Sequence, residues 1–216
     1  MGELSGQYDW KAPHHSWDEA IARLASRQHG VVSLAQLLEL GLTRAAVEGR
    51  VRRKRLFALH RGVYAVGHRA LTRNAHFIAA VYACGSGALL SHRCAGAKHG
   101  LLSSSPARID VTAPGQRKSR RGITVHRSRS LHPDDRTLAD GIPTTSVART
   151  LVDLADVLNE RQLTKVVHQA EVLRVFDLTK LEQAGFPAVQ EGTASAGSLP
   201  PTNLSLTSCA ARRSGA

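Results

Sequence analysis

Between Ser16 and Gly67 the apolar residues recur at helical spacing in three short runs. Each run is opened by a capping residue, and the first two are closed by glycine. That punctuation excludes one long helix and prescribes three short ones joined by tight turns. Ser16 and Glu19 have the spacing of a capping box, in which hydroxyl and carboxylate satisfy each other's backbone amides. Trp17, Ile21, Leu24 and Ala25 form the stripe that follows, and Gly30 ends the run. Ser33 and Gln36 repeat the box ahead of Leu34, Leu37 and Leu38, and Gly41 ends the second run. Thr43 is suited to cap a third helix, Arg44 to about Lys54, with Ala46, Val47 and Val51 facing inward. Gly49 inside it costs roughly 1 kcal/mol relative to alanine.

Leu56 to Val66 then reads as two strands around Arg61-Gly62, because Phe57, Val63 and Tyr64 favour strand and glycine permits a tight turn. Three helices with a tight turn before the third, followed by a hairpin, make a winged helix-turn-helix. Such a third helix enters the major groove with its N-terminal residues over base edges. Thr43, Arg44 and Glu48 are then placed to read bases. Arg50, Arg52, Arg53, Lys54 and Arg55 lie further along for phosphates, with His60 and Arg61 at the wing tip. Seven basic residues against Glu48 between Thr43 and Arg61 give +6, half of the formal +12 carried by 29 Lys+Arg and 17 Asp+Glu. A balance that basic favours a polyanion, nucleic acid before membrane. Genomic bias toward arginine and alanine is the bland alternative, and composition alone does not decide between them. The bland reading of the topology is a small helical domain with a packing hairpin.

The stretch LASRQHGVVSLAQLLELGLTRAAVEGRVRRKRLFALHRGVYAVG, residues 24–67, resembles the N-terminal winged-helix domain of the AbiEi family. These are the antitoxin and transcriptional-repressor components of type IV toxin–antitoxin systems. The basic helix end running into HRGVYAVG is the most specific part. The resemblance implies operator binding by this module and autoregulation of an operon.

From Arg69 to Gly185 the pattern changes to α+β. An apolar helix is expected at Ala75 to Ala83 and a second at Ala88 to His99. Strands are expected at Arg108 to Thr112 and Gly122 to His126, making a small sheet. Between those strands lies a basic turn. Its Arg117, Lys118, Arg120 and Arg121 either make a second phosphate contact or are charge tolerated at a solvated hairpin tip. Further helices are expected after Ser146, from Arg161 to Phe176, and after the cap Asp177. The segments ALLSHRCAGAKHGL, ARIDVTAPGQRKSRRGITVHRS and DGIPTTSVARTLVDLA are similar to the central region of an actinobacterial group. Its members carry the AbiEi-like domain and often a C-terminal endonuclease resembling the very-short-patch-repair enzyme. With the first module the resemblance covers about residues 24–180. Lys98 and His99 stand where the family has apolar residues, and burying a lysine is costly.

The tail from 186 to 216 is rich in Gly, Ser, Thr, Pro and Ala without period, and is expected to be disordered. Longer relatives lead into the nuclease there, so a truncated or frame-shifted relative is one reading. The domains expected are a flexible arm 1–15, a winged helix-turn-helix 16–67, an α+β antitoxin-like domain 69–185 and the tail.

No catalytic constellation stands out. His92 and His99 are seven apart without a carboxylate at ligand spacing, Cys94 points to another face, and Pro133-Asp134 is a turn. No nucleotide or nucleophile-elbow motif is present. Neither metal nor cofactor is expected. Cys84, Cys94 and Cys209 make no disulfide framework, and with no membrane-length apolar window or signal peptide a cytoplasmic location is expected.

The sequence thus points to a non-enzymatic, sequence-specific regulator of double-stranded DNA. The resemblance adds an antitoxin role and a cognate nucleotidyltransferase-type toxin. The alternatives are the DNA-targeting part of an endonuclease fusion, and a toxin-neutralising protein whose second module does the work.

Overall fold

The structure is a computed structural model that describes residues 14–115, 119–128 and 131–184. The expected arm up to residue 13 and the tail from 186 lie outside the described residues. The chain forms two compact units that divide at Ala83/Cys84.

The first unit runs α1 (His14–Ser26), β1 (Val31–Ser33), α2 (Leu34–Glu39), α3 (Arg44–Arg52), β2 (Leu56–His60), β3 (Val63–Val66) and α4 (Arg73–Cys84). Helix α1 begins at His14, so Ser16 lies inside its first turn rather than capping it. The other two caps form as expected. The Ser33 hydroxyl accepts from the Gln36 amide (3.3 Å) while Gln36 Oε1 accepts from the Ser33 amide (2.9 Å). Thr43 Oγ1 accepts from the Ala46 amide (3.2 Å). β1 has no counterpart in the sequence reading. Val31 and Val32, directly after Gly30, pair antiparallel with β3 and complete a sheet ordered β1-β3-β2. Ile21, Val32, Leu37, Leu42, Val47 and Leu56 close one core beneath the helices.

Two boundaries shift. The contacts keep α4 with this unit rather than with the second module, and its Tyr82 hydroxyl donates to Gln28 Oε1 (2.8 Å). Helix α3 stops at Arg52, with Arg53 as cap and Lys54 in the left-handed region (φ 56°). The Arg55 amide then donates to the Arg50 carbonyl (2.9 Å) and the Lys54 amide to that of Val51 (3.1 Å), a Schellman closure.

Gly49 sits mid-helix, and a methyl there meets only Arg53 Nη1 at 3.9 Å, ordinary contact. Gly49→Ala is therefore expected to stabilise the unit by about 0.5–1 kcal/mol, chiefly by restricting the unfolded chain. The check is a higher urea midpoint at unchanged m-value.

The second unit contains β4 (Leu89–Leu90), α5 (His92–Lys98), β5 (Ile109–Pro114), β6 (Ile123–Ser128), β7 (Arg136–Ala139), β8 (Ile142–Thr145), α6 (Val147–Ala155), α7 (Glu160–Val172) and α8 (Leu178–Gln183). Its mixed sheet is ordered β6-β5-β4-β8-β7. The expected helix from Ala88 is corrected: Leu89 and Leu90 are the sheet's middle strand, hydrogen-bonded on both sides, and the helix starts only at His92. The expected hairpin between β5 and β6 is also corrected. The strands run parallel, Ile109 opposite Ile123 through Pro114 opposite Ser128, and the tight turn lies at Arg120–Ile123. Lys98 is largely buried, and its ammonium is paired with Asp140, which offsets the cost expected for it. His99 Nε2 donates to the Thr145 carbonyl (2.7 Å). Leu101, Leu151, Leu154, Leu163, Val166 and Leu181 form this unit's helical core. Among the described residues no helix is long and apolar enough to cross a membrane.

Candidate nucleic-acid interface

Helix α3 separates its residues by face. Val47 and Arg50 are buried, whereas Arg44, Glu48 and Arg52, each four apart, form an exposed stripe. Thr43 is exposed at the N-terminus, its hydroxyl committed to the cap. Arg53, Lys54 and Arg55 are exposed at the other end, and Arg61 is exposed at the wing. Among the described residues, Arg44, Arg52, Arg53, Lys54 and Arg61 form no ion pair, so no carboxylate neutralises them. The wing is a two-residue turn, Arg61-Gly62, closing β2 onto β3 with His60 half-buried beside it. Gly62 takes φ 74°, and a methyl on it would lie 3.6 Å from Leu34 Cβ.

Arg50 departs from the expected phosphate-binding set. It is 7% exposed. Its Nε donates to Asp18 Oδ1 (3.0 Å), Nη1 reaches the Ala46 carbonyl (3.4 Å), and the guanidinium lies over the Trp17 ring at 5.9 Å. The reason is position: Arg50 follows Val47 by three residues and shares its inner face, where the Asp18 carboxylate of α1 meets its charge. Asp18 also accepts from Arg55, which stays exposed. Asp18 was not among the sequence candidates, and one acid in α1 gives no periodic signal pointing to a helix so far along the chain.

Arg120 and Arg121 are exposed at the turn before β6, while Arg117 and Lys118 lie outside the described residues. Because β5 and β6 run parallel, the link that carries Arg120 and Arg121 is not a hairpin.

Two family models match. One, described as the AbiEi antitoxin transcriptional regulator, covers residues 19–67. The other, the AbiEi antitoxin C-terminal domain, covers residues 86–186. The chain belongs to the AbiEi-like family. Both AbiEi domains are thus present in order, and they are those of a toxin–antitoxin regulator. The two model matches correspond closely to the two compact units. Among solved structures, the RV2827C protein from Mycobacterium tuberculosis is similar at 18% identity, over 80% of this chain and 78% of that one, with a TM-score of 0.37. A comparison with curated proteins returns no match.

The C-terminal AbiEi domain holds a cluster that the sequence reading passed over. His92, at φ 49° where β4 turns into α5, stacks on His126 of β6 with ring centroids 3.5 Å apart. His126 Nε2 lies 3.1 Å from Asp110 Oδ1, and His92 Nδ1 lies 3.0 Å from Ser91 Oγ and 3.9 Å from Asp153 Oδ2. Once β5 and β6 are parallel, Asp110, Thr112 and His126 share a face. Reading the link as a hairpin hid that.

Burial, aided by His126, Arg149 and Arg93, lowers the His92 pKa from 6.5 to about 3. Its contribution to stability is present above about pH 6.5 and is lost as pH falls toward 3. Burial raises Asp153 from 3.8 to about 6, against the pull of Arg149, so its contribution has the opposite sign and is lost as pH rises through 6. In the native chain the two oppose each other. His92→Gln removes only the first, so its Tm relative to wild type is expected to move in the variant's favour between pH 7 and pH 4.5. A difference that stays constant with pH contradicts a buried neutral imidazole.

Proposed function

We propose that the first unit binds double-stranded DNA sequence-specifically as a winged helix-turn-helix, and that the protein regulates transcription as the antitoxin of a type IV system. The observation that carries this reading is the exposed basic surface of α3 and its C-terminal turn beside the wing turn, where Arg44, Arg52, Arg53 and Lys54 form no ion pair among the described residues. Arg44, Glu48 and Thr43 stand at the end of α3 that reads bases in this class of domain. Arg52, Arg53, Lys54, Arg55 and Arg61 supply phosphate contacts, with His60 beside the turn. Arg50 instead holds α3 to α1. The family supports a nucleotidyltransferase-type toxin as the protein partner.

The test separates reading from anchoring. Arg44→Ala is expected to relax discrimination at one base position, costing about 1–3 kcal/mol on the preferred operator and much less on a scrambled duplex. Competition gel shifts with the protein's own upstream region measure both. Equal losses on the two duplexes contradict base reading by Arg44.

A further inference from the structure

The two edges of the second unit's sheet are finished differently. The segment before β6 folds back along it: Arg120 bridges Ile123, and Ser119 Oγ accepts from the Val125 amide (3.1 Å). An edge covered in this way gives another strand little to pair with. Among the described residues β7, the opposite edge, carries no such cover.

Which backbone groups β7 presents follows from its register. The Ser146 amide donates to the Asp135 carbonyl (2.8 Å), so these two residues are a hydrogen-bonded pair. Hydrogen-bonded and non-hydrogen-bonded pairs alternate along an antiparallel ladder. Leu138 opposite Pro143 is therefore a non-hydrogen-bonded pair, which suits a proline with no N–H to donate. The N–H and C=O of Leu138 thus point away from β8 toward the open edge, as does the Arg136 carbonyl. The Arg136 amide already donates to the Pro133 carbonyl. Leu138 is also 69% exposed, more than any other large apolar side chain among the described residues.

The occupant follows from the strand's own sequence, Arg-Thr-Leu-Ala-Asp from 136 to 140, which complements itself when reversed. With Leu138 opposite Leu138 of a second, antiparallel copy, Arg136 comes opposite Asp140 and Thr137 opposite Ala139. Opposite charges then flank an apolar contact on each side. The three residues that matter share a face. Arg136 and Leu138 lie on the side of Thr145, whose hydroxyl meets Thr150 of α6, and Asp140 pairs with Lys98 of α5, which packs on α6. Arg136 is exposed and forms no ion pair among the described residues, and the Asp140 side chain is 67% exposed. The neighbouring register, Leu138 opposite Arg136, needs the occupied Arg136 amide and sets an arginine against each leucine.

We propose that β7 is a self-association edge, through which two copies of this chain pair antiparallel about a two-fold axis at Leu138 and join their five-stranded sheets into one. Each Leu138 amide donates to the other copy's Leu138 carbonyl, and the two leucines cover each other. Asp140 opens the turn at φ 49°, so Arg136 of the other copy reaches it by its long side chain and not through the ladder. A carboxylate has lone pairs for both that arginine and Lys98. The contact uses the same strand on both copies, so it closes at a dimer. The proposal stands on the second unit's sheet and does not depend on DNA binding by the first unit.

The test is sedimentation velocity of the full chain from about 1 to about 200 µM. The wild type is expected to pass from monomer to dimer with a Kd of roughly 10–100 µM, as suits a small interface. Leu138→Pro keeps the β7–β8 ladder, because that N–H points outward, but removes the donor and the leucine. Arg136→Glu sets acid opposite acid. Each is expected to raise the Kd at least about 10-fold. Arg136 is exposed, so its variant keeps the test decisive even if Leu138→Pro does not fold. A wild type that stays monomeric throughout the range overturns the proposal. So does a dimer whose Kd is the same in both variants.

Discussion

Replacing Arg52 and Arg53 together with alanine is expected to weaken DNA binding about 30-fold at 0.15 M salt, on every duplex alike. Two phosphate contacts are lost. Each contributes about 0.9 to the slope of log K against log salt through counterion release, so the slope should flatten by about 1.8. Raised to the salt ratio between 0.15 M and 1 M, that slope gives about 30-fold. Both side chains are exposed, so the fold should be untouched. Arg161 and Lys165, an equally exposed basic pair on α7, form the control. Removing that pair should leave affinity and slope unchanged. Equal flattening by both pairs would mean that the whole chain's charge, not this face, attracts DNA.

The second large effect lies in the clamp between α1 and α3. Asp18→Ala leaves the Arg50 guanidinium buried, its side chain 8% exposed, with no carboxylate partner. Breaking a fully buried pair costs about 3–5 kcal/mol. Asp18 itself is 36% exposed, so water recovers part of that. A loss of about 1.5–3 kcal/mol is expected. Replacing both residues, Asp18→Ala with Arg50→Met, should recover much of the loss, because the uncompensated charge goes and the methionine stem still covers Trp17. Denaturant unfolding of the wild type, Asp18→Ala, Arg50→Met and the double variant measures this cycle. A double variant no more stable than Asp18→Ala alone contradicts the clamp. The pair also fixes how α3 lies on α1, and so which residues of α3 face outward.

What the sequence made legible was local. Caps at Ser33 and Thr43 were readable because each is satisfied within three residues. The winged-helix order of the first unit follows from those caps and from turn glycines. What needed distant partners was not readable. Arg50 was assigned by its charge, although its face was set by Val47 and its partner lies 32 residues away. Leu89-Leu90 is too short to show a strand period, and only its neighbours on both sides make it a strand. The β7–β8 hairpin did leave a signal, Asp140-Gly141, both with positive φ (49° and 75°), the signature of a type I′ turn. The polar cluster around His92 and His126 depended on the parallel register of β5 and β6, which no local pattern near Arg117 to Arg121 encodes.

The most direct measurement of the central claim is the affinity of the intact chain for a duplex from its own upstream region and for a scrambled duplex, each at 50 and 200 mM salt. The exposed basic end of α3 predicts binding to both, tighter to the upstream duplex, and falling steeply with salt on each. No binding at 50 mM, or an affinity that does not change with salt, contradicts it.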